Sequence, residues 1–524
     1  MIFASLTLVS RIMGFARDLV VTGAVGAAGT IAADAYYTAQ AFPNLFRRIF
    51  AEGAFAAAFV PAYSKKLGAD EADADRFASD ALATVAFASV VVTTLCMLGM
   101  PWIMRIYSGG YLDDPAKFRL TWILTTVTMP YLSCMVIASV FSGILNARGR
   151  FIVSGFYPTV LNLVMLALIW PQTNAISAAW AGAIGVGIAG VAQAALCWWG
   201  AAKSGARIRL VRPRLTGEMR KLIRTAIPAV VANSATQINI TVSMILAGYV
   251  DGMRAWMGVA DRLYQLPLSL IGVAIGIALL PRLSQALRAH DHEDAQAAMD
   301  QGLVFALALA LPAAAALVAL PEHLIDGLFT RGQFTTADAH ATGLLLLHYG
   351  WGAPAFVLLR ILQPAFFARG DTKTPMTISL ISVAVNIALG VLLFNTIGYQ
   401  GIPIATSVAA WLSVVQMSFI LWRTDVYRPS AKAVNKLIRV GLASAGMLAA
   451  LLVARFFYAA FVGVLAEAPV VAPAAKEVAI VLVCAAGGAL YPVLLFAFGG
   501  VTPAEFKAAM RRKKSDPPPS ADLP

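Results

Sequence analysis

The chain is short of charge. Only 13% of its residues are Asp, Glu, Lys or Arg, about half of what a soluble domain carries, and just 27 of the 524 are carboxylates. So few charges cannot cover a water-exposed surface of this size. The 59% hydrophobic content and mean hydropathy of +0.75 place the chain in a bilayer. Alternating segments of about 10 residues, which a membrane barrel needs, are absent, whereas apolar runs of about 20 recur throughout. The expected fold is an all-α polytopic membrane protein.

Cysteine and histidine are scarce as well. Cys96, Cys134, Cys197 and Cys484 fall in apolar runs without CxxC or metal-ligand spacing, and read as small core residues. His290, His292, His323, His340 and His348 lie singly or near loops, with no HExxH pattern. P-loop, GxSxG and extramembrane carboxylate pairs are also lacking, and the loops are too short to hold such a site. These absences argue against an ATP-driven or enzymatic role, and no cofactor or metal is expected. Nor does the N-terminus read as a secretory signal. It has no basic leader, and Arg11, Arg17 and Asp18 interrupt its apolar run, so it is expected to be the first retained span.

Hydropathy places about fourteen spans near 2–24, 31–60, 78–104, 120–146, 152–171, 174–201, 221–249, 254–281, 298–320, 337–367, 374–397, 400–423, 436–463 and 475–499. The formal charge of +13 would suggest nucleic acid for a soluble protein, but here it marks topology, and no nucleic-acid partner is expected. Basic residues crowd the loops after even-numbered spans: Lys65 and Lys66, Arg148 and Arg150, the run from Lys203 to Arg224, Arg369 and Lys373, and Arg511 to Lys514. The opposite loops hold only Arg105, Lys117, Arg119, Arg254, Arg331 and Lys476. Both termini are therefore expected in the cytoplasm.

Two segments match between the halves. AFAAAFVPAYSK from Ala54 lines up with AIGIALLPRLSQ from Ala274, and Ala147-Arg148-Gly149 with Ala368-Arg369-Gly370, at nearly the same offset. A six-span unit duplicated in parallel is expected, with its site between the lobes near the midplane. The resulting order is a first lobe over 1–201, a basic linker over 202–220, a second lobe over 221–424, two extra spans over 425–500 and a basic, proline-rich tail over 501–524. The linker reads either as a topology anchor on anionic lipid or as a partner-binding patch.

Intramembrane charge concentrates in spans one, two and eight. Each such charge costs a few kcal/mol at bilayer depth, so partners or a water-filled cavity are required. Arg11 and Asp18 share a face of span one; Asp34, Arg48 and Glu52 would share a face of an unbroken span two, although Pro43 is placed to kink it. Arg48 is placed to be neutralised by Glu52 or to line the site. Arg47 has no obvious neighbour on its own helix, and Arg262, beside Asp261, has no carboxylate three or four residues away. Guanidinium groups make forked, charge-assisted bonds to phosphate oxygens, so an anionic, phosphorylated substrate is favoured over a cationic drug. Arg360 and Arg455 are isolated, and read as snorkelling or locally paired.

SRIMGFARD (Ser10 to Asp18), NLFRRIFAEGAF (Asn44 to Phe55) and ADRLYQLPLSLIGVAIGIALLPRLS from Ala260 strongly resemble the MurJ (MviN) family of bacterial lipid II flippases, in the multidrug, oligosaccharidyl-lipid and polysaccharide exporter superfamily. The resemblance covers all the spans and is diffuse in the last two. It implies two six-helix lobes around a central cationic cavity, two added helices holding the polyprenyl tail, and transfer of lipid II from the inner to the outer leaflet of the bacterial cytoplasmic membrane. By motif, Arg17, Asp18, Arg47 and Arg262, with Arg11 and Asn44, become substrate-binding candidates; Asp34, Arg48, Glu52 and Asp261 become cavity or gate residues. Lipid II, membrane lipids and other cell-wall synthesis proteins are the implied partners.

The chain also departs from the family pattern. Met1 lies closer to SRIMGFARD than is usual, so either the short cytoplasmic lead is missing or the start is misassigned. Spans seven and eleven offer Asn233, Gln237, Asn239 and Asn386 where some members are thought to bind sodium through carboxylates. Drive by membrane potential or protons is left open. Two alternatives stand beside lipid II transfer: a flippase for another polyprenyl-diphosphate oligosaccharide, and a non-transporting scaffold or regulator of envelope synthesis.

Overall fold

The computed structural model describes residues 2–49, 55–288 and 291–500, and these form helices joined by short turns, with no strand among them. In order they are α1 (Ile2–Val25), α2 (Ile31–Ile49), α3 (Phe55–Leu67), α4 (Glu71–Tyr107), α5 (Pro115–Thr128), α6 (Pro130–Ala147), α7 (Phe151–Ile169), α8 (Ala175–Lys203) and α9 (Gly217–Ala247). The chain continues with α10 (Met253–Arg288), α11 (His292–Ala319), α12 (Pro321–Phe329), α13 (Thr336–Phe367), α14 (Lys373–Ile397), α15 (Gly401–Arg423), α16 (Ala431–Ala466) and α17 (Ala475–Ala497). Among the described residues, nine stretches are long and apolar enough to cross a bilayer, which makes the protein polytopic.

Several boundaries differ from hydropathy because polar caps decide them. The expected span at 120–146 starts earlier, since the Asp114 carboxylate accepts from the N–H groups of Ala116 and Lys117 and Pro115 fills the first helical position. That span is also divided, α5 ending at Thr128 and α6 opening at Pro130. Asp70 caps α4 in the same manner, so helix begins at Glu71. The described parts of the expected span 31–60 are α2, which stays helical through Pro43, and α3.

The contacts divide the chain into two compact units. One comprises Met1–Gln265, Pro321–Tyr349 and Lys373–Ser413; the other comprises Leu266–Leu320, Gly350–Thr372 and Val414–Pro524. In the first unit small residues let helices approach closely and bulky ones face outward, the reverse of a soluble bundle. On α4, Leu95, Leu98, Trp102 and Ile106 are exposed at helical spacing, while Ala74, Ala78 and Ala81 are buried. On α8, a Cβ at Gly182 would sit 2.4 Å from the Tyr36 ring, so only glycine admits α2 there. In the second unit α11, α16 and α17 pack together, and Tyr427 donates to Asp300 at 2.6 Å ahead of α16.

The matched turns share local geometry. Gly149 and Gly370 both take the left-handed backbone that ends a helix, with φ of 70° and 75°. A carboxylate near the start of a long helix also receives the chain that follows the sixth expected span of each half: Asp75 accepts from the Arg207 N–H, and Asp300 from the Ser430 N–H.

Candidate functional site

Arg17, Asp18 and Arg262 form one cluster within the first unit. Arg17 donates from Nη2 at 2.6 Å and from Nε at 3.0 Å to Oδ1 of its neighbour Asp18. Oδ2 of the same carboxylate lies 2.6 Å from Arg262 Nε on α10, as a charge contact rather than an aligned hydrogen bond. Arg262 has no carboxylate three or four residues away on its own helix. Its partner stands on α1. Two guanidinium groups therefore share one carboxylate, and Arg262, whose side chain is 53% exposed, keeps both Nη groups without a partner among the described residues.

α2 supplies the next part. Arg47 donates from Nε to Asn44 Oδ1 at 2.8 Å, and Asn44 in turn donates to the Gln40 carbonyl at 2.7 Å. Arg47 thus does have a neighbour on its own helix, a neutral amide three residues back. Arg48 is exposed and lies within the electrostatic reach of Arg47, Asp261 and Arg262, while Arg17 and Arg47 both act on Tyr131. Asp261 accepts from Gln265. Arg11 is exposed on α1, seven residues before Asp18. Glu52, and with it the Arg48–Glu52 pair, lies outside the described residues.

Asp34 belongs to a second centre. It is thirteen residues before Arg47, about 20 Å along α2, and is 1% exposed whereas Arg48 is exposed, so the shared face expected for the two does not describe their surroundings. Asp34 is paired with Lys117 and accepts the Gly252 N–H on both oxygens at 3.2 Å. Lys117 also reaches Asp251 at 2.6 Å and sits over the Tyr111 ring.

Arg254 completes this centre. It is 1% exposed and donates to Thr38, to Ser108 at 2.8 Å, to the Tyr107 carbonyl at 2.6 Å, and to the Met244 carbonyl at 3.0 and 2.9 Å. A buried guanidinium needs this many acceptors to offset its lost hydration. Asp338 adds a third tie, accepting from the Ala28 N–H at 3.1 Å and from Trp256 Nε1 at 2.9 Å. Backbone closes the rest: a Cβ at Gly252, whose φ is +76°, would lie 2.4 Å from Ala28 N.

The loop ends of α1, α2, α4 and α5 are thereby locked to residues 248–256 and 331–338 at the sparsely basic end. In the sequence Lys117 and Arg254 read only as loop charges. The Asp114-Pro115 cap, legible in the sequence, would have placed Lys117 inside the first turn of α5. For Arg254 no local signal exists, since all four of its acceptor residues lie outside its own helix.

Residues 24–470 match the family described as lipid II flippase MurJ. The chain is 40% identical over 423 residues to a probable lipid II flippase MurJ of Rhizobium tropici, covering 80% of this chain and 79% of the relative. It is 36% identical to one of Rhizobium meliloti (strain 1021) over 97% of this chain and 95% of the relative. Among solved structures, a lipid II flippase MurJ in an inward closed conformation matches with a TM-score of 0.76 at 22% identity, over 94% of this chain and 99% of its own, a likeness of fold.

Proposed function

Since the chain belongs to the lipid II flippase MurJ family, and is a multi-pass protein of the bacterial inner membrane rather than an enzyme, we propose that it moves lipid II from the inner to the outer leaflet by alternating access. The observation that carries this reading is the sharing of Asp18 by Arg17 and Arg262. One carboxylate cannot neutralise two guanidinium groups, and the spare Nη donors of Arg262 suit the oxygens of a diphosphate.

In this mechanism the diphosphate is gripped by Arg17 and Arg262, with Arg47, its guanidinium oriented by Asn44, reaching the same headgroup. Arg11 and Arg48 extend the positive field around the grip, and Asp261 limits it. The polyprenyl tail stays in lipid along α16 and α17. The centre of Asp34, Lys117 and Arg254 is the outer seal, and the state with that seal closed receives substrate from the cytoplasmic side. Both termini lie in the cytoplasm in this scheme, in keeping with the Lys and Arg bias.

Depletion of the protein in living cells, followed by measurement of the leaflet in which lipid II resides, tests the proposal. Lipid II should accumulate on the cytoplasmic leaflet. An unchanged distribution under full depletion contradicts it.

A further inference from the structure

The segment joining α8 to α9 is not a free tether. It lies along α4: the Arg207 N–H donates to Asp75 Oδ2 at 2.7 Å, the Arg209 N–H to Ser79 Oγ at 3.0 Å, and Thr84 Oγ1 to the Arg214 carbonyl at 3.4 Å. Asp75 is itself fixed by Arg148 at 2.9 Å and by the Tyr63 hydroxyl at 3.2 Å. Nine residues separate Asp75 from Thr84, about 13 Å of helix. The segment therefore climbs α4 from its capped end toward the apolar stretch that exposes Phe87, Val90 and Val91.

Because these ties use mainly backbone, the side chains are left outward. Arg207, Arg209, Arg212 and Arg214 are exposed and form no ion pair among the described residues. Between them Leu210 is 90% exposed, and Leu215 follows at 61%. At the end of α8, exposed Trp198 and Trp199, the latter under the Lys203 ammonium at 4.2 Å, mark the level at which aromatic side chains meet lipid headgroups. A groove of about 520 Å³ beside the strap is lined by Arg220, Lys221 and Arg224 at the start of α9.

We propose that this strap is an anionic-phospholipid binding surface, in which Arg207, Arg209, Arg212 and Arg214 hold lipid phosphates while Leu210 and Leu215 enter the acyl boundary. Charge complementarity selects the occupant, and the interleaved leucines distinguish a bilayer from an acidic protein or a free anion. Interfacial segments bind by this combination of buried apolar area and attraction to acidic headgroups. The proposal is independent of the transport reading, since it concerns the outward face of the linker and not the arginines of α1, α2 and α10.

Hydrogen–deuterium exchange of residues 206–215 in the full-length protein tests it, with the protein in nanodiscs of phosphatidylcholine alone or with added phosphatidylglycerol. Exchange should slow several-fold with phosphatidylglycerol, recover in high salt, and lose its lipid dependence in R207Q/R209Q/R212Q/R214Q, whose unfolding temperature should stay close to that of the parent. Equal exchange in both lipids overturns the proposal, as does slowing that persists in the quadruple variant. Slowing seen only in native membranes, and not with the purified lipid, overturns it in favour of a protein partner.

Discussion

Asp18 holds Arg17 of its own helix and Arg262 of α10 at the same 2.6 Å, one oxygen to each. The carboxylate spaces the two cations and leaves the pair with an excess of positive charge. Asp18→Asn keeps the shape and removes the charge. The variant should lose about 1–3 kcal/mol of stability, since part-buried Arg17 is left short of a charged partner, and Asp18→Glu should recover part of it. Thermal unfolding in detergent measures both.

Arg262 is half exposed, and Asp18 keeps its pairing with Arg17 when Arg262 is removed. Arg262→Ala should abolish complementation at a normal protein level, and Arg262→Lys should restore it only weakly, because an ammonium lacks the planar fork. Growth of cells in which the variant is the sole copy, with immunoblotting of membranes, decides the matter.

The ion pair of Asp34 and Lys117 is buried, and breaking such a pair from one side costs roughly 3–5 kcal/mol. Lys117→Met alone should lower the unfolding temperature strongly. Asp34→Asn combined with Lys117→Met should recover much of the loss, which a double-mutant cycle reads as coupling.

At Gly252 the left-handed backbone and the contact with Ala28 leave no room for a methyl group. If this end is the outer seal proposed above, Gly252→Ala should weaken it and favour the state open to the outside. Labelling of a cysteine placed at Thr38, which is fully buried beside Arg254, should become faster in this variant when the reagent is applied from outside.

The helical membrane class was legible because apolar runs and the lack of charge are properties of composition. Arg17, Asp18, Arg47 and Arg262 were legible as candidates because charge inside an apolar span is costly wherever it points. Their pairing was not. Helical spacing of three and four residues joins only neighbours on one helix, whereas Asp18 meets Arg262 across 244 positions of chain. The role of Arg254 is hidden for a related reason: two residues after the turn glycine Gly252 it reads as a solvated loop residue, and only the fold brings Thr38, Tyr107 and Ser108 around it.

The most direct test places the purified full-length protein in vesicles and follows movement of a fluorescent lipid II between leaflets. Vesicles with the parent protein should transfer it well above protein-free vesicles, and those with folded Arg17→Ala or Arg262→Ala should not. Transfer by the parent no faster than the protein-free rate, or equal transfer by the arginine variants, would contradict the account.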